Sequence, residues 1–163
     1  MTDSWLVKEP RFDDGVAIVT GGSGGIGREI CLALARAGSN VALTYGRNKA
    51  AAEAIASEIE AMGRKAEIAS LKIEDADAVK TYVDGVASRF GSVHSVVYAS
   101  GPLLHMQTIG DIPPSEWSRV IDTDVKGCFN LISASLPHVR KAQGAYVGVI
   151  TAAVERVPAR DIM

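Results

Sequence analysis

Short apolar runs alternate along this chain with longer segments whose apolar residues recur every three or four positions. Val16-Ala17-Ile18-Val19 is the first such run, so residues 15–20 read as a strand. Further strands are expected at 40–45, 65–73, 95–99 and 144–151. Helical spacing predicts helices at 25–37, 49–62 and 76–90, closed by Gly38, Gly63 and Gly91 respectively. After Pro113-Pro114, Ser115 is expected to cap a long helix running to 141, with Pro137 as the place for a kink. Strand then helix, repeated, defines an α/β chain: a doubly wound parallel sheet with helices on both faces. Its crossovers should be right-handed, and ligands should gather at the carboxyl ends of the strands. Residues 15–163 form this domain, expected to lack its C-terminal part, after an extension at 1–14.

One junction between strand and helix carries chemistry. Thr20-Gly21-Gly22-Ser23-Gly24-Gly25-Ile26-Gly27 follows the first strand and opens the first helix. Its glycines satisfy Gly-x-Gly-x-x-Gly as Gly22, Gly24 and Gly27, and Thr-Gly-x-x-x-Gly-x-Gly as Thr20, Gly21, Gly25 and Gly27. Glycines allow a tight turn and a close backbone approach to a pyrophosphate, whose charge meets the free N–H groups of the helix. Many glycine turns bind nothing, and a bare turn is the alternative reading; the strand–turn–helix setting favours a phosphate-binding dinucleotide corner.

Composition narrows the partners. The 163 residues are 47% hydrophobic and 22% charged, with a net charge of −2. That balance gives no basic footprint for nucleic acid and no attraction to an anionic membrane. Residues 1–14 are polar and show no apolar core of a signal peptide, and no apolar run approaches a membrane span. Cys31 and Cys128 fall in expected helices and read as buried free thiols, in keeping with a reducing cytoplasm. His94, His105 and His138 lack metal-ligand spacing, so no metal site is expected.

From about Asp14 onward the sequence resembles the short-chain dehydrogenase/reductase family. The glycine motif carries the resemblance. So do the segment from Glu116-Trp117 to Gly127-Cys128-Phe129-Asn130, similar to the family's fourth-helix region, and Gly144–Thr151, similar to its serine-bearing strand. Beta-ketoacyl-acyl-carrier-protein reductases are the nearest subgroup. The resemblance implies NAD(P)-dependent hydride transfer between nicotinamide and a carbonyl or alcohol substrate, and a homo-oligomer. An acidic residue at the end of the second strand would select NAD, whereas Tyr45-Gly46-Arg47-Asn48 offers a guanidinium and no carboxylate. Arg47 is therefore expected to pair with a 2′-phosphate and favour NADP, with NAD possible; the alternative is a solvated surface arginine.

Several positions depart from the family's pattern. The catalytic serine corresponds to Thr151, with an ordinary strand-end threonine as the alternative reading. The relay asparagine corresponds to Asp124, whose ionised carboxylate accepts hydrogen bonds without donating any; the alternative is a polar residue facing a helix cavity. The Asn-Asn-Ala-Gly after the fourth strand becomes Tyr98-Ala99-Ser100-Gly101, with Gly101 retained beside the cofactor. The acidic residue near the adenine corresponds to Lys72, followed by Ile73. Lysine cannot accept the adenine amino hydrogen, and the alternative reading of Lys72 is a plain surface charge. The Tyr-x-x-x-Lys pair is absent, and Tyr146 and Lys141 stand in the wrong order to replace it. Two expectations follow: the N-terminal portion of a longer NADP-dependent oxidoreductase, or a divergent nucleotide-binding module without catalysis. A methyltransferase-like domain fits the glycine pattern less well. By itself, 1–163 is expected to show no carbonyl reduction.

Overall fold

The computed structural model describes residues 12, 14–101 and 108–150. Its sheet contains β1 (Val16–Thr20), β2 (Asn40–Tyr45), β3 (Ala66–Ser70), β4 (Val93–Tyr98) and β5 (Ala145–Gly148). All pair in parallel, in the order β3-β2-β1-β4-β5. The chain winds outward from β1 to β3 and then crosses to the other side of β1 for β4 and β5. A crevice forms at the carboxyl ends of β1 and β4, where these two directions part.

Alternation within the apolar runs explains the layers. Val16 and Ile18 of β1, Ala42 of β2 and Val96 of β4 pack with Val79, Val83 and Val86 of α3 (Ala76–Phe90) and Leu131 of α5 (Gly127–Lys141). Their neighbours Val19, Val41, Leu43 and Val97 pack instead with Leu32 of α1 (Gly25–Arg36) and Ile55 and Ile59 of α2 (Lys49–Ala61). Both faces are thus covered, which is why these strands read as unbroken apolar runs rather than as apolar–polar alternation. Asn48 caps α2 by accepting from the Ala51 N–H at 3.0 Å, and Asp75 caps α3 by accepting from Asp77 and Ala78.

The expected long helix is three pieces. α4 (Pro114–Val120) leads into a π-helical stretch (Ile121–Lys126), which continues directly as α5. Pro113 occupies the cap position, with no side-chain cap, so Ser115 lies inside the first turn rather than capping it. Proline at the first helical position sacrifices only an N–H that has no partner there. The π stretch has a local cause: Thr123 Oγ1 donates to the Arg119 carbonyl at 2.9 Å, competing with the backbone ladder. Pro137 lies within α5.

The third strand is shorter than its apolar pattern suggests. Residues 71–73 leave the sheet after Ser70, and the Ile73 carbonyl is met by Asn130 Nδ2 at 3.0 Å instead of by a neighbouring strand. β4 begins at Val93, two residues earlier than expected, and β5 ends at Gly148. Cys31 is buried and Cys128 only partly so, and both are free thiols. Burial pushes the Cys31 thiol up to about 12.

Candidate dinucleotide site

The glycine turn is built by space as much as by flexibility. Gly21 has φ +69°, and a Cβ there would stand 2.7 Å from the Ala99 carbonyl. A Cβ on Gly22 would meet the Leu43 side chain at 2.6 Å, and one on Gly27 would meet the Gly21 carbonyl at 2.2 Å. Those three glycines are required by the fold itself. Gly25 differs: a Cβ there would touch nothing within 4 Å. Thr20 is buried, its hydroxyl donating to the Val97 carbonyl at 3.3 Å, so it ties the corner to β4 rather than facing a ligand.

Gly24 precedes α1 with no side-chain cap, and the first turn carries no acidic residue. The leading N–H groups of this helix therefore remain available to an anion. Arg28 does not compete for that role, being held by Glu58 at 2.8 and 2.9 Å. Ile26 is 64% exposed, an apolar side chain projecting from the turn.

In front of the turn lies a cleft of about 960 Å³, near the top of the usual range of roughly 300–1,000 Å³ for small-molecule sites. Ser23 and Gly24 of the turn line it, with Gly46, Arg47 and Asn48 after β2 and Lys72 and Ile73 after β3. Tyr98, Ser100 and Gly101 close it from β4, and Glu116, Arg119 and Thr123 from α4 and the π stretch. Ser23, Gly24, Arg47, Lys72, Ile73, Ser100 and Gly101, all singled out in the sequence, thus meet in one place. The other turn residues, Thr20, Gly21, Gly22, Gly25, Ile26 and Gly27, do not line the cleft, nor does Asp124. Tyr45 and Ala99 pack against the core layer shared with α1 and α2. Thr151 lies outside the described residues.

Charges of both signs lie in or next to the cleft, with Asp124 behind the lining residue Tyr98 rather than on the wall itself. Arg119 is paired with Glu116, its Nε donating at 2.9 Å. Among the described residues no carboxylate lies within 4 Å of Arg47 or Lys72. Asp124, in the π stretch, has its Oδ1 3.0 Å from the Tyr98 hydroxyl, which also lies 3.1 Å from the Thr123 carbonyl and 3.2 Å from that of Asp124. The phenol has one proton and three acceptors around it. Burial and then the Asp124 charge push Tyr98 well above the usual tyrosine range, so that proton stays on the ring oxygen. Ser100 Oγ, nearby on the same wall, is buried with no hydrogen-bond partner among the described residues.

Two contributors escaped sequence reasoning. Asn130, 6% exposed, fixes the chain where it turns from β3 into the cleft. Gly127 lets α5 pass Ile73, since a Cβ there would stand 2.6 Å from Ile73 Cγ2. A polar residue on the apolar face of a helix was the one available signal for Asn130. The partnership of Tyr98 with Asp124 had no local signal at all.

The sheet order, the glycine turn and the cleft define a nucleotide-binding α/β fold of the Rossmann type. The family model described as short chain dehydrogenase matches residues 15–159, and the chain belongs to that family. It is 40% identical over 134 residues to a 3-oxoacyl-[acyl-carrier-protein] reductase of Staphylococcus aureus, covering 82% of this chain and 54% of that protein. It is 28% identical over 143 residues to a 3beta-hydroxysteroid dehydrogenase of Mediterraneibacter gnavus, covering 88% and 51%. The chain thus spans about half the length of the curated relatives it matches. Among solved structures, a short chain dehydrogenase from Burkholderia cenocepacia in complex with NADP superposes with a TM-score of 0.84 at 30% identity, covering 91% of this chain and 60% of that one. An NAD+-bound xylitol dehydrogenase superposes with a TM-score of 0.86 at 26% identity, covering 93% and 58%. No helix among the described residues is long and apolar enough to cross a membrane.

Proposed function

We propose that this protein is an NADP-dependent oxidoreductase that moves a hydride between the cofactor and a carbonyl or alcohol substrate. The observation that carries the reading is the convergence of Ser23, Gly24, Arg47 and Gly101 on one cleft at the carboxyl end of the sheet. The uncapped start of α1 and the open space at Gly25 suit a pyrophosphate laid against the backbone. Arg47, exposed and without a carboxylate partner among the described residues, suits the 2′-phosphate that distinguishes NADP from NAD. Lys72 and Ile73 border the adenosine end, and Ser100 and Gly101 the other. When bound, the cofactor supplies or accepts the hydride at its nicotinamide ring. Asp124 offers an acceptor beside that end, and Thr151 is assigned the hydroxyl that binds the substrate oxygen. The NADP complex of the Burkholderia relative supports the same reading.

Trp117, Ile121, Val125, Phe129 and Ile132 leave an exposed apolar stripe along α4, the π stretch and α5. We assign this stripe to contact with a second copy of the chain, to be read by sedimentation equilibrium.

Titration of the wild type and Arg47→Glu with NADPH and NADH tests the cofactor assignment. NADPH affinity should fall at least tenfold in the variant while NADH affinity holds or rises. NADPH affinity equal in the two proteins would remove Arg47 from the site. A second reading, nucleotide binding without catalysis, is favoured by the acceptor-only carboxylate at Asp124. NADPH oxidation with a panel of keto substrates separates the two.

A further inference from the structure

We propose that the Asp124 carboxylate, tethered by the Tyr98 phenol beside the cleft, makes the protein bind the oxidised dinucleotide more tightly than the reduced one. The inference rests on the dinucleotide reading above and adds a preference of redox form to it. Its basis is the placement of one unneutralised charge.

Arg47 and Lys72 follow β2 and β3, on one side of the glycine turn, while Tyr98 ends β4 on the other. A dinucleotide laid across the turn with its 2′-phosphate at Arg47 therefore places its nicotinamide on the Tyr98 side. The oxidised ring is a cation and the reduced ring is neutral. The phosphates and the adenosine are common to both forms, so their contacts cancel in the comparison. What remains is the charge near the ring.

That charge, among the described residues, is negative. Among the described residues no lysine, arginine or histidine nitrogen lies within 4 Å of the Asp124 carboxylate. Arg119, one turn earlier, is occupied by Glu116, and Lys126 at the end of the π stretch is exposed. Tyr98 fixes the carboxylate at 3.0 Å without neutralising it, since a phenol donates a hydrogen bond and brings no charge. The Thr123 and Asp124 carbonyls also converge on the phenol, at 3.1 and 3.2 Å, so two further oxygen dipoles point their negative ends at the same spot. The half-buried setting weakens solvent screening of this cluster.

The test measures dissociation constants of NADPH by its fluorescence and of NADP+ by displacement, in the full chain and in variants. Asp124→Asn keeps an oxygen for the Tyr98 hydrogen bond and removes the charge. The oxidised-over-reduced preference should narrow about three- to tenfold in this variant. Asp124→Glu, which retains the charge, should keep the preference on the wild-type side. Tyr98→Phe should narrow it by a smaller factor, because the charge stays and its tether goes. If both forms bind and Asp124→Asn leaves their ratio within twofold of wild type, the inference fails and the dinucleotide reading stands. A wild-type ratio in Tyr98→Phe would refute the tether. Folded wild-type protein that binds neither form overturns the dinucleotide reading and this inference with it.

Discussion

Asn130 donates its side-chain N–H to the backbone carbonyl of Ile73 at 3.0 Å, joining the first turns of α5 to the point where the chain leaves β3. The bond is partly buried and spans fifty-seven residues of sequence. It replaces a strand-to-strand partner that Ile73 lost on leaving the sheet, and it sets the position of Lys72 and Ile73 on the cleft wall.

Asn130→Ala should therefore destabilise the protein by about 1–3 kcal/mol, the cost of leaving a partly buried carbonyl without a donor. Asn130→Asp should cost more, because two acceptors would then face each other. Urea denaturation measures both. Equal stability of the two variants and the wild type would mean that water satisfies Ile73 just as well.

The glycines of the turn should separate folding from binding. Gly27→Ala pushes a methyl to 2.2 Å from the Gly21 carbonyl, which should cost about 1–3 kcal/mol or more and open the turn. Gly25→Ala meets nothing within 4 Å and should leave stability unchanged or raise it by up to ~1 kcal/mol. Its NADPH affinity should nonetheless drop at least tenfold, since the methyl occupies the space used by a pyrophosphate. Thermal unfolding and fluorescence titration of the two variants check this, and a Gly25→Ala protein with wild-type affinity would contradict the proposed phosphate position.

His94 should make stability fall on mild acidification. Its ring lies between Ser39 Oγ, 3.1 Å from Nε2, and Ser95 Oγ, 2.9 Å from Nδ1, and stacks on Phe12 with centroids 4.2 Å apart. Burial lowers its pKa below the ordinary 6.5. As pH falls through about 6.5, the unfolded chain takes up a proton that the folded chain refuses, so folding weakens until pH passes the lower folded value. Asp84, whose pKa is lowered by its Lys80 and His138 hydrogen bonds, acts below its ordinary 3.8 and outside this window. Denaturation midpoints at pH 7.5 and 5.5 should differ in the wild type and differ less in His94→Gln. An equal difference in both proteins would assign the effect elsewhere.

The local patterns were informative where the cause was local. Period and punctuation located all five strands and α1 to α3, because glycine stops act within a few residues. The expected end of the third strand was wrong because the competition for Ile73 comes from Asn130, far along the chain. The long helix does run without a break from Pro114 to Lys141, and what the pattern missed is the π stretch within it, where the Thr123 hydroxyl takes the Arg119 carbonyl. Gly21, Gly25 and Gly27 look alike in a motif, and only the surrounding atoms show that Gly21 and Gly27 serve the fold while Gly25 leaves room.

The sequence by itself determined the α/β winding, the glycine corner and the positive residue after β2, all of them encoded in contiguous segments. Tertiary structure decided what those segments face. It brought Arg47, Lys72 and Gly101 to one cleft, kept Tyr45 in the packing below it, and joined Tyr98 to Asp124 across twenty-six positions. Periodicity records which face of an element is buried, whereas a partner is chosen by sheet order and helix placement. Those depend on the whole chain packing at once.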